Sequence, residues 1–153
     1  MKFAIISDTH DNMSNLKKAI SWIQKENIQL ILHCGDITSI ETLNNAKKLF
    51  GERIEFVKGN GDFDLDLPEK KEIKIDKKKI AFTHFPQIAK KLAESGKFDL
   101  VFYGHTHKPW QEKIGDCRMI NPGELAGQIF KPTFAIYNTD QDFLELKILE
   151  NLK

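Results

Sequence analysis

Leu100-Val101-Phe102-Tyr103-Gly104-His105-Thr106-His107 is the stretch on which the fold is decided. Four apolar residues in a row predict a short buried strand that breaks at Gly104. Two histidines follow, at i and i+2. On extended backbone, side chains two apart point the same way, so His105 and His107 are expected to reach one common site beyond a strand end. Neutral imidazole is a frequent metal ligand, and glycine lets the backbone come close to whatever sits there. Alone, the pair also reads as two histidines in a loop. The other strand ends decide between the two.

Four more apolar runs end in the same manner. Phe3-Ala4-Ile5-Ile6, continuous like a strand buried on both faces, leads into Ser7-Asp8-Thr9-His10. Leu30-Ile31-Leu32 leads into His33-Cys34-Gly35-Asp36, and Ile54-Glu55-Phe56-Val57 into Gly59-Asn60-Gly61-Asp62. Ile80-Ala81-Phe82-Thr83 leads into His84. Two helical stripes separate the first three strands. One starts at about Ser14 with Leu16, Ala19, Ile20 and Ile23 inward. The other is capped by Ser39 and closed by Gly51, with Ile40, Leu43 and Phe50 inward. Strand, helix, strand, helix, strand predicts right-handed crossovers and a parallel sheet.

The pattern then changes. Residues 63–68 read as an acidic, irregular and mobile loop. Period-two alternation over 72–75 and a turn over 76–79 predict a hairpin with 80–83. Pro86 opens a third helix carrying Ile88, Leu92 and Ala93 inward and stopping at Gly96. The remainder is expected to be a meander, with strands near 111–114, 118–120, 134–137 and 143–148 and a loop over 121–132. No repeat, low-complexity tract or linker interrupts the 153 residues, so one domain spanning 1–153 is expected.

Composition narrows the function. A chain of this length buries on the order of 70% of its unfolded surface and needs no disulfide staples. It is 41% hydrophobic and 29% charged, with a net charge of +1. That balance argues against gripping nucleic acid through bulk positive charge and leaves room for a small phosphorylated substrate held locally. Lys77-Lys78-Lys79 reads as a solvated hairpin turn. Cys34 and Cys117 are too few for a disulfide framework. Cys34, directly after a hydrophobic strand, is expected to be buried and structural, in a reducing, cytoplasmic setting. No apolar run approaches a membrane span, and the one at 3–6 is too short for a signal peptide.

The five strand ends supply Asp8, His10, Asp36, Asn60, His84, His105 and His107. Each has a plain reading of its own: Asp8 as a helix cap, Asn60-Gly61 as a turn, His84 as a satisfied core histidine. Their coincidence at the carboxyl ends of strands, where open α/β sheets bind ligands, favours a metal centre. Seven groups exceed the three protein ligands of a typical catalytic zinc site and fit two metals with a bridging carboxylate. The mixed oxygen and nitrogen set suits two divalent ions, manganese foremost, with nickel, iron, zinc or cobalt as options rather than calcium. Two such ions about 3.5–4 Å apart lower the pKa of a shared water and clamp both sides of an in-line displacement at phosphorus. No Gly-x-Ser-x-Gly elbow offers another nucleophile.

In order and spacing, Asp8-Thr9-His10, Gly35-Asp36, Gly59-Asn60, His84 and Gly104-His105-Thr106-His107 resemble the motif series of the calcineurin-like metallophosphoesterases. The small single-domain archaeal and bacterial phosphodiesterases of that superfamily are the most similar group, and Asn121-Pro122-Gly123 recurs there too. The resemblance implies an α/β fold, a four-layer α-β-β-α sandwich of two mixed sheets flanked by helices. It implies one metal held by Asp8, His10, Asp36 and His107, and another by Asp36, Asn60, His84 and His105. Asp36 and a hydroxide would bridge them, with Asp36, Asn60 and His105 as catalytic residues. The function implied is hydrolysis of a phosphodiester.

Three positions depart from the family pattern. Larger relatives carry a general-acid histidine where Gly61 stands, and such help is commonly worth about 10²–10⁴-fold. Asp11 and Asp62 are substitutes for it, or simply bond local backbone. Phe85 replaces a frequent glycine after His84, and Glu124 replaces a frequent serine, either behind the ligands or exposed. Asp62, Asp64 and Asp66 alternate like a calcium loop, but Leu67 and Ile73 break that pattern. His33 is read as lying behind the ligands, and Trp110 as a packing aromatic rather than a platform for a base. The alternatives to a phosphodiesterase are a weakly catalytic binding scaffold, as in the retromer subunit built on this fold, and a nuclease, which the neutral charge disfavours. The sequence also allows a homodimer.

Overall fold

Ten strands and three helices follow one another along residues 1–51 and 53–153, the part of the chain that the computed structural model describes. They are β1 (Lys2–Ile6), α1 (Met13–Lys25), β2 (Ile31–His33), α2 (Ile40–Phe50), β3 (Ile54–Phe56), β4 (Lys70–Ile75), β5 (Lys78–Thr83), α3 (Pro86–Glu94), β6 (Leu100–Phe102), β7 (Trp110–Ile114), β8 (Cys117–Asn121), β9 (Thr133–Asn138) and β10 (Phe143–Ile148). The strands form two mixed five-stranded sheets, ordered β10-β9-β1-β2-β3 and β4-β5-β6-β8-β7.

The pleat of β1 shows how the layers arise. Phe3, Ala4, Ile5 and Ile6 are all fully buried, and alternation divides them between two cores. Ala4 and Ile6 pack with Leu16, Ala19 and Ile20 of α1 and Leu43 and Ala46 of α2. Phe3 and Ile5 face the second sheet, against Phe82, Phe102 and Ile120. Phe3 meets Phe102 edge-on at 5.9 Å between centroids. Burying such a side chain stabilises by about 1.5–3 kcal/mol. On the far face of the second sheet, Ala81, Val101 and Met119 pack against Ala89, Leu92 and Ala93 of α3. Three cores between four layers make the α-β-β-α sandwich.

β1, β2 and β3 pair in parallel, as the alternation of strands and helices requires. The β4–β5 hairpin turns on Asp76-Lys77 alone, with Asp76 at φ 54°, so its turn is tighter than expected. Ser39 caps α2 by accepting from Thr42 N–H, and Gly51 ends it. Among the described residues, no helix is long and apolar enough to cross a membrane.

The expected C-terminal meander is instead two hairpins in different sheets. β7 and β8 join the second sheet, with β8 parallel to β6. β9 and β10 join the first, with β9 antiparallel to β1. Each hairpin takes its partner from a strand distant in sequence, and the 121–132 loop crosses between sheets. Ile40 is 58% exposed, not inward. The buried stripe of α2 runs through Thr42, Leu43 and Ala46, and at 100° per residue Ile40 stands roughly 110° from its centre. The 63–68 loop is anchored rather than free. Leu65 is buried in the helix-side core, and Lys58 N–H donates to Pro68 O at 2.8 Å.

Candidate metal centre

Backbone pairing continues past the strand ends and draws the loops together. Cys34 N–H donates to Ile6 O (2.8 Å), Asp8 N–H to Gly35 O (2.9 Å), His10 N–H to Asp36 O (2.9 Å) and Gly104 N–H to His84 O (3.1 Å). Both sheets therefore deliver their carboxyl-end loops to one end of the sandwich. Asp8, His10, Asp36, His105 and His107 all adopt left-handed backbone, with φ between 46° and 73°. Such conformations are uncommon outside glycine and concentrate at functional sites. They also overturn the premise that His105 and His107 lie on extended backbone. The two rings diverge.

His107 Nε2 lies 3.2 Å from Asp8 Oδ1 and 3.3 Å from His10 Nε2, and His10 Nε2 lies 3.5 Å from Asp8 Oδ1. His105 Nδ1 lies 3.0 Å from Asn60 Oδ1 and 3.3 Å from His84 Nε2, and His84 Nε2 lies 2.9 Å from Asn60 Oδ1. Between these groups stands Asp36 Oδ2, 3.5 Å from His10 Nε2 and 3.4 Å from His84 Nε2. Asp8 Oδ1 also comes within 4.0 Å of His84 Nε2. Hence, among the described residues, two clusters have donor atoms close enough for a shared ion, Asp8 with His10 and His107, and Asp8 with Asp36 and His84. The second takes in Asp8 as well as Asp36, which the sequence-based division into two sets did not expect.

The donor set fits cations. Asp8 is fully buried, and its Oδ1 has no hydrogen-bond partner among the described residues although three imidazole nitrogens surround it. A buried acceptor of this kind is expensive unless something positive faces it. Burial opposes ionisation of Asp8, yet the close His10 and His107 rings outweigh it and hold the carboxyl well below the usual range. Burial likewise opposes ionisation of Asp36, and its bond with His84 prevails. The Asp8 carboxylate beside them lifts His107 to about 9 and raises His10. The field of two buried carboxylates draws protons onto the rings, and a divalent cation meets the same demand with more charge.

Residues behind these side chains aim them. His84 Nδ1 bonds Cys34 O at 2.8 Å, which turns Nε2 toward the centre. Burial pushes His33 down to about 4, so it stays neutral. It accepts Gly35 N–H on Nδ1 (3.2 Å) and lies 2.8 Å from Thr9 Oγ1 through Nε2. Two glycines are required by closeness: a Cβ at Gly104 would stand 2.6 Å from Asp8 Oδ2, and one at Gly59 2.4 Å from Asp36 N. Asn121 Nδ2 donates to Gly104 O and Thr106 Oγ1, bracing the turn between the two histidines.

Two residues behind the centre had roles that the sequence left open between alternatives. Glu124 is fully buried, and its Oε2 lies 2.6 Å from His107 Nδ1. Asp62 is fully buried and accepts the backbone N–H groups of Asp36, Gly59 and Thr38. Asp11 accepts from Ser39 and Thr42 at the start of α2. Both candidate replacements for the missing general acid are thus committed to holding loops. The advance signal for Glu124 was its place directly after Asn121-Pro122-Gly123, where serine is frequent in the family it resembles. Phe85 does wall the centre, its ring 5.2 Å from His84 and 5.7 Å from His105. Trp110 is 52% exposed, with Lys108 Nζ 5.1 Å from its ring centre, and is not a buried packing residue.

The profile of the calcineurin-like phosphoesterase superfamily domain matches residues 1–142. The chain belongs to the calcineurin-like phosphoesterase superfamily. A Methanocaldococcus jannaschii protein named as a phosphodiesterase is 32% identical over 98% of this chain and 100% of its own length. The structure described as that of a novel archaeal phosphodiesterase superimposes with a TM-score of 0.87 at 30% identity, covering 97% of this chain and 99% of the other. A Vps29 variant from Entamoeba histolytica aligns with a TM-score of 0.76 at 20% identity over 96% and 97% of the two chains, which shows a shared fold alone. Superfamily members use divalent metals, and the Asp and His clusters at the sandwich end are where this calcineurin-like chain offers ligands.

Proposed function

We propose that this calcineurin-like chain is a single-domain phosphodiesterase that works with two divalent cations, manganese foremost, on a small phosphate ester. The orphaned Asp8 Oδ1 between His10, His84 and His107 carries the reading, with Asp36 Oδ2 between the His10 and His84 rings. Asp8, His10, Asp36 and His107 would hold one ion, and Asp36, Asn60, His84 and His105 the other. Bound there, the pair would supply an activated water and neutralise the phosphoryl oxygens. The protein's own work is positional. Asp36 is fixed by Gly61 N–H on Oδ1 at 2.7 Å, which leaves Oδ2 for the centre. His105 is exposed and directs Nδ1 inward, so its other face meets substrate. Two buried free thiols, Cys34 and Cys117, support a reducing cytoplasmic setting, and the near-neutral charge favours a small ester over a polynucleotide.

The test is hydrolysis of bis(p-nitrophenyl) phosphate with added Mn²⁺, before and after chelation, by the native chain and by Asp36→Ala and Asn60→Ala. Activity is expected to require the metal and to fall by about two orders of magnitude or more in each variant. Metal-independent turnover, or full activity in both variants, overturns the reading. One observation favours a second reading as a binding scaffold: Trp110 on the edge strand β7 of one sheet and Phe143 and Leu146 on the edge strand β10 of the other are exposed. Purified protein free of bound metal would promote it.

A further inference from the structure

Glu124 touches two things at once. Its Oε2 lies 2.6 Å from His107 Nδ1 and 3.2 Å from Ile129 N, and its Oε1 accepts from Gln128 N–H and, at 3.1 Å, from Ile129 N–H. One buried carboxylate thus joins a candidate metal ligand to the backbone of the crossing loop. The entry to that loop is pinned independently. Leu125 N–H donates to Ser7 O and Ala126 N–H to Asp8 O, while Asn12 and Asn15 side chains hold the carbonyls of Ala126 and Leu125. Its exit is pinned by Thr133 N–H on Glu124 O. The tip between these anchors carries Ile129 and Phe130, 68% and 42% exposed, and Glu124 holds its amides.

We propose that Glu124 is a positioning residue that links cation binding at His107 to the conformation of the 127–131 tip. The proposal rests on the metal-centre reading above and goes beyond it. A cation on His107 Nε2 makes the Nδ1–H a stronger donor, so Glu124 is drawn more firmly to the ring. Both carboxylate oxygens are then fixed in direction, and the amides of Gln128 and Ile129 have a stationary acceptor. Without the cation the ring and the carboxylate share a weaker bond, and the tip has a looser anchor. The linkage is reciprocal, so a tip held in place favours the cation by the same factor. The pair Ile129-Phe130, two hydrogen bonds from His107, is thereby set beside the centre when the centre is loaded.

Glu124→Gln separates this role from packing. The amide matches the carboxylate in shape but keeps only one acceptor atom. An oxygen in the Oε2 place reaches the ring and Ile129 N–H but leaves Gln128 N–H opposite an NH₂, and an oxygen in the Oε1 place serves both amides but loses the ring. The experiment combines titration calorimetry with Mn²⁺ and amide hydrogen exchange of residues 126–131, with the 139–142 turn as internal reference. In the native chain, Mn²⁺ is expected to slow exchange of 126–131 relative to the reference. In Glu124→Gln, Mn²⁺ affinity is expected to fall about 10–100-fold and the metal-dependent change in exchange to vanish. If the native chain binds Mn²⁺ with no change at 126–131, the linkage is refuted, and this arm needs no variant to fold. Retention of both affinity and protection in Glu124→Gln refutes it equally. Failure of the native chain to bind Mn²⁺ at all refutes the metal centre itself and the linkage with it.

Discussion

Removing the Asp62 carboxylate should damage the protein more than removing any exposed acid. Its Oδ2 accepts Asp36 N–H and Gly59 N–H, each at 2.8 Å, and its Oδ1 accepts Thr38 N–H at 2.7 Å. In Asp62→Ala, three backbone donors lose their acceptor at a fully buried position. At about 1–3 kcal/mol for each buried unsatisfied donor, and with water able to reach the half-buried Thr38, the loss is roughly 3–6 kcal/mol. That is a large fraction of the 5–15 kcal/mol typical of a whole domain. Asp62→Asn keeps one oxygen for the Asp36 and Gly59 pair and turns an NH₂ toward Thr38 N–H, so about 1–3 kcal/mol is expected. Urea unfolding in chelator, compared at constant slope, measures both without interference from bound metal. The midpoints should fall in the order native, Asn, Ala. A change under about 0.5 kcal/mol in Asp62→Ala would refute the reasoning. The rival role as general acid has its own signature, a loss of activity in Asp62→Asn that steepens as the leaving group worsens. The loop-holding role predicts the same proportional loss for every ester.

Two further outcomes are expected. Gly61→His should fold once Asp36 Oδ1, 3.3 Å from a Cβ there, gives by a few tenths of an ångström, since Thr38 Oγ1 at 3.6 Å is in ordinary contact. It should raise kcat/KM for an ester with a poor leaving group by about tenfold or more while an activated ester changes little, and an unchanged ratio counts against the vacancy of that role. Chelation should lower Tm, and Mn²⁺ at about 100 times its Kd should restore about 2.7 kcal/mol. Thermal unfolding checks this, with Asp36→Ala expected to lose the increment.

Features encoded locally were legible in the sequence. The run Phe3-Ala4-Ile5-Ile6 announced a strand buried on both faces, and Ser39 and Gly51 announced the ends of α2, because strand burial and capping depend on neighbours in the chain. Pairing of β8 with β6 and of β9 with β1 depends on which sheet edge is open, which no local pattern records. Side-chain direction at the centre was illegible for a related reason. His105 and His107 diverge because their backbone is left-handed, a state imposed by contacts such as His105 N–H on Asp8 Oδ2. Glu124 and Asp62 act on backbone groups brought near by the fold, so their residue type alone could not separate support from exposure.

Five of the seven candidate ligands sit in left-handed backbone, at a cost of about 1–2 kcal/mol for an ordinary residue and less for Asp and His. Summed over one end of the sandwich, several kcal/mol of strain lie in a region held by contacts such as His105 N–H on Asp8 Oδ2, and a cation bound at the proposed centre would offset more of it. The chain would then be a poor survivor in a metal-starved cell. Lower stability there means a larger unfolded fraction exposed to proteases, so the abundance of this protein should follow the supply of divalent cations even with transcription held constant.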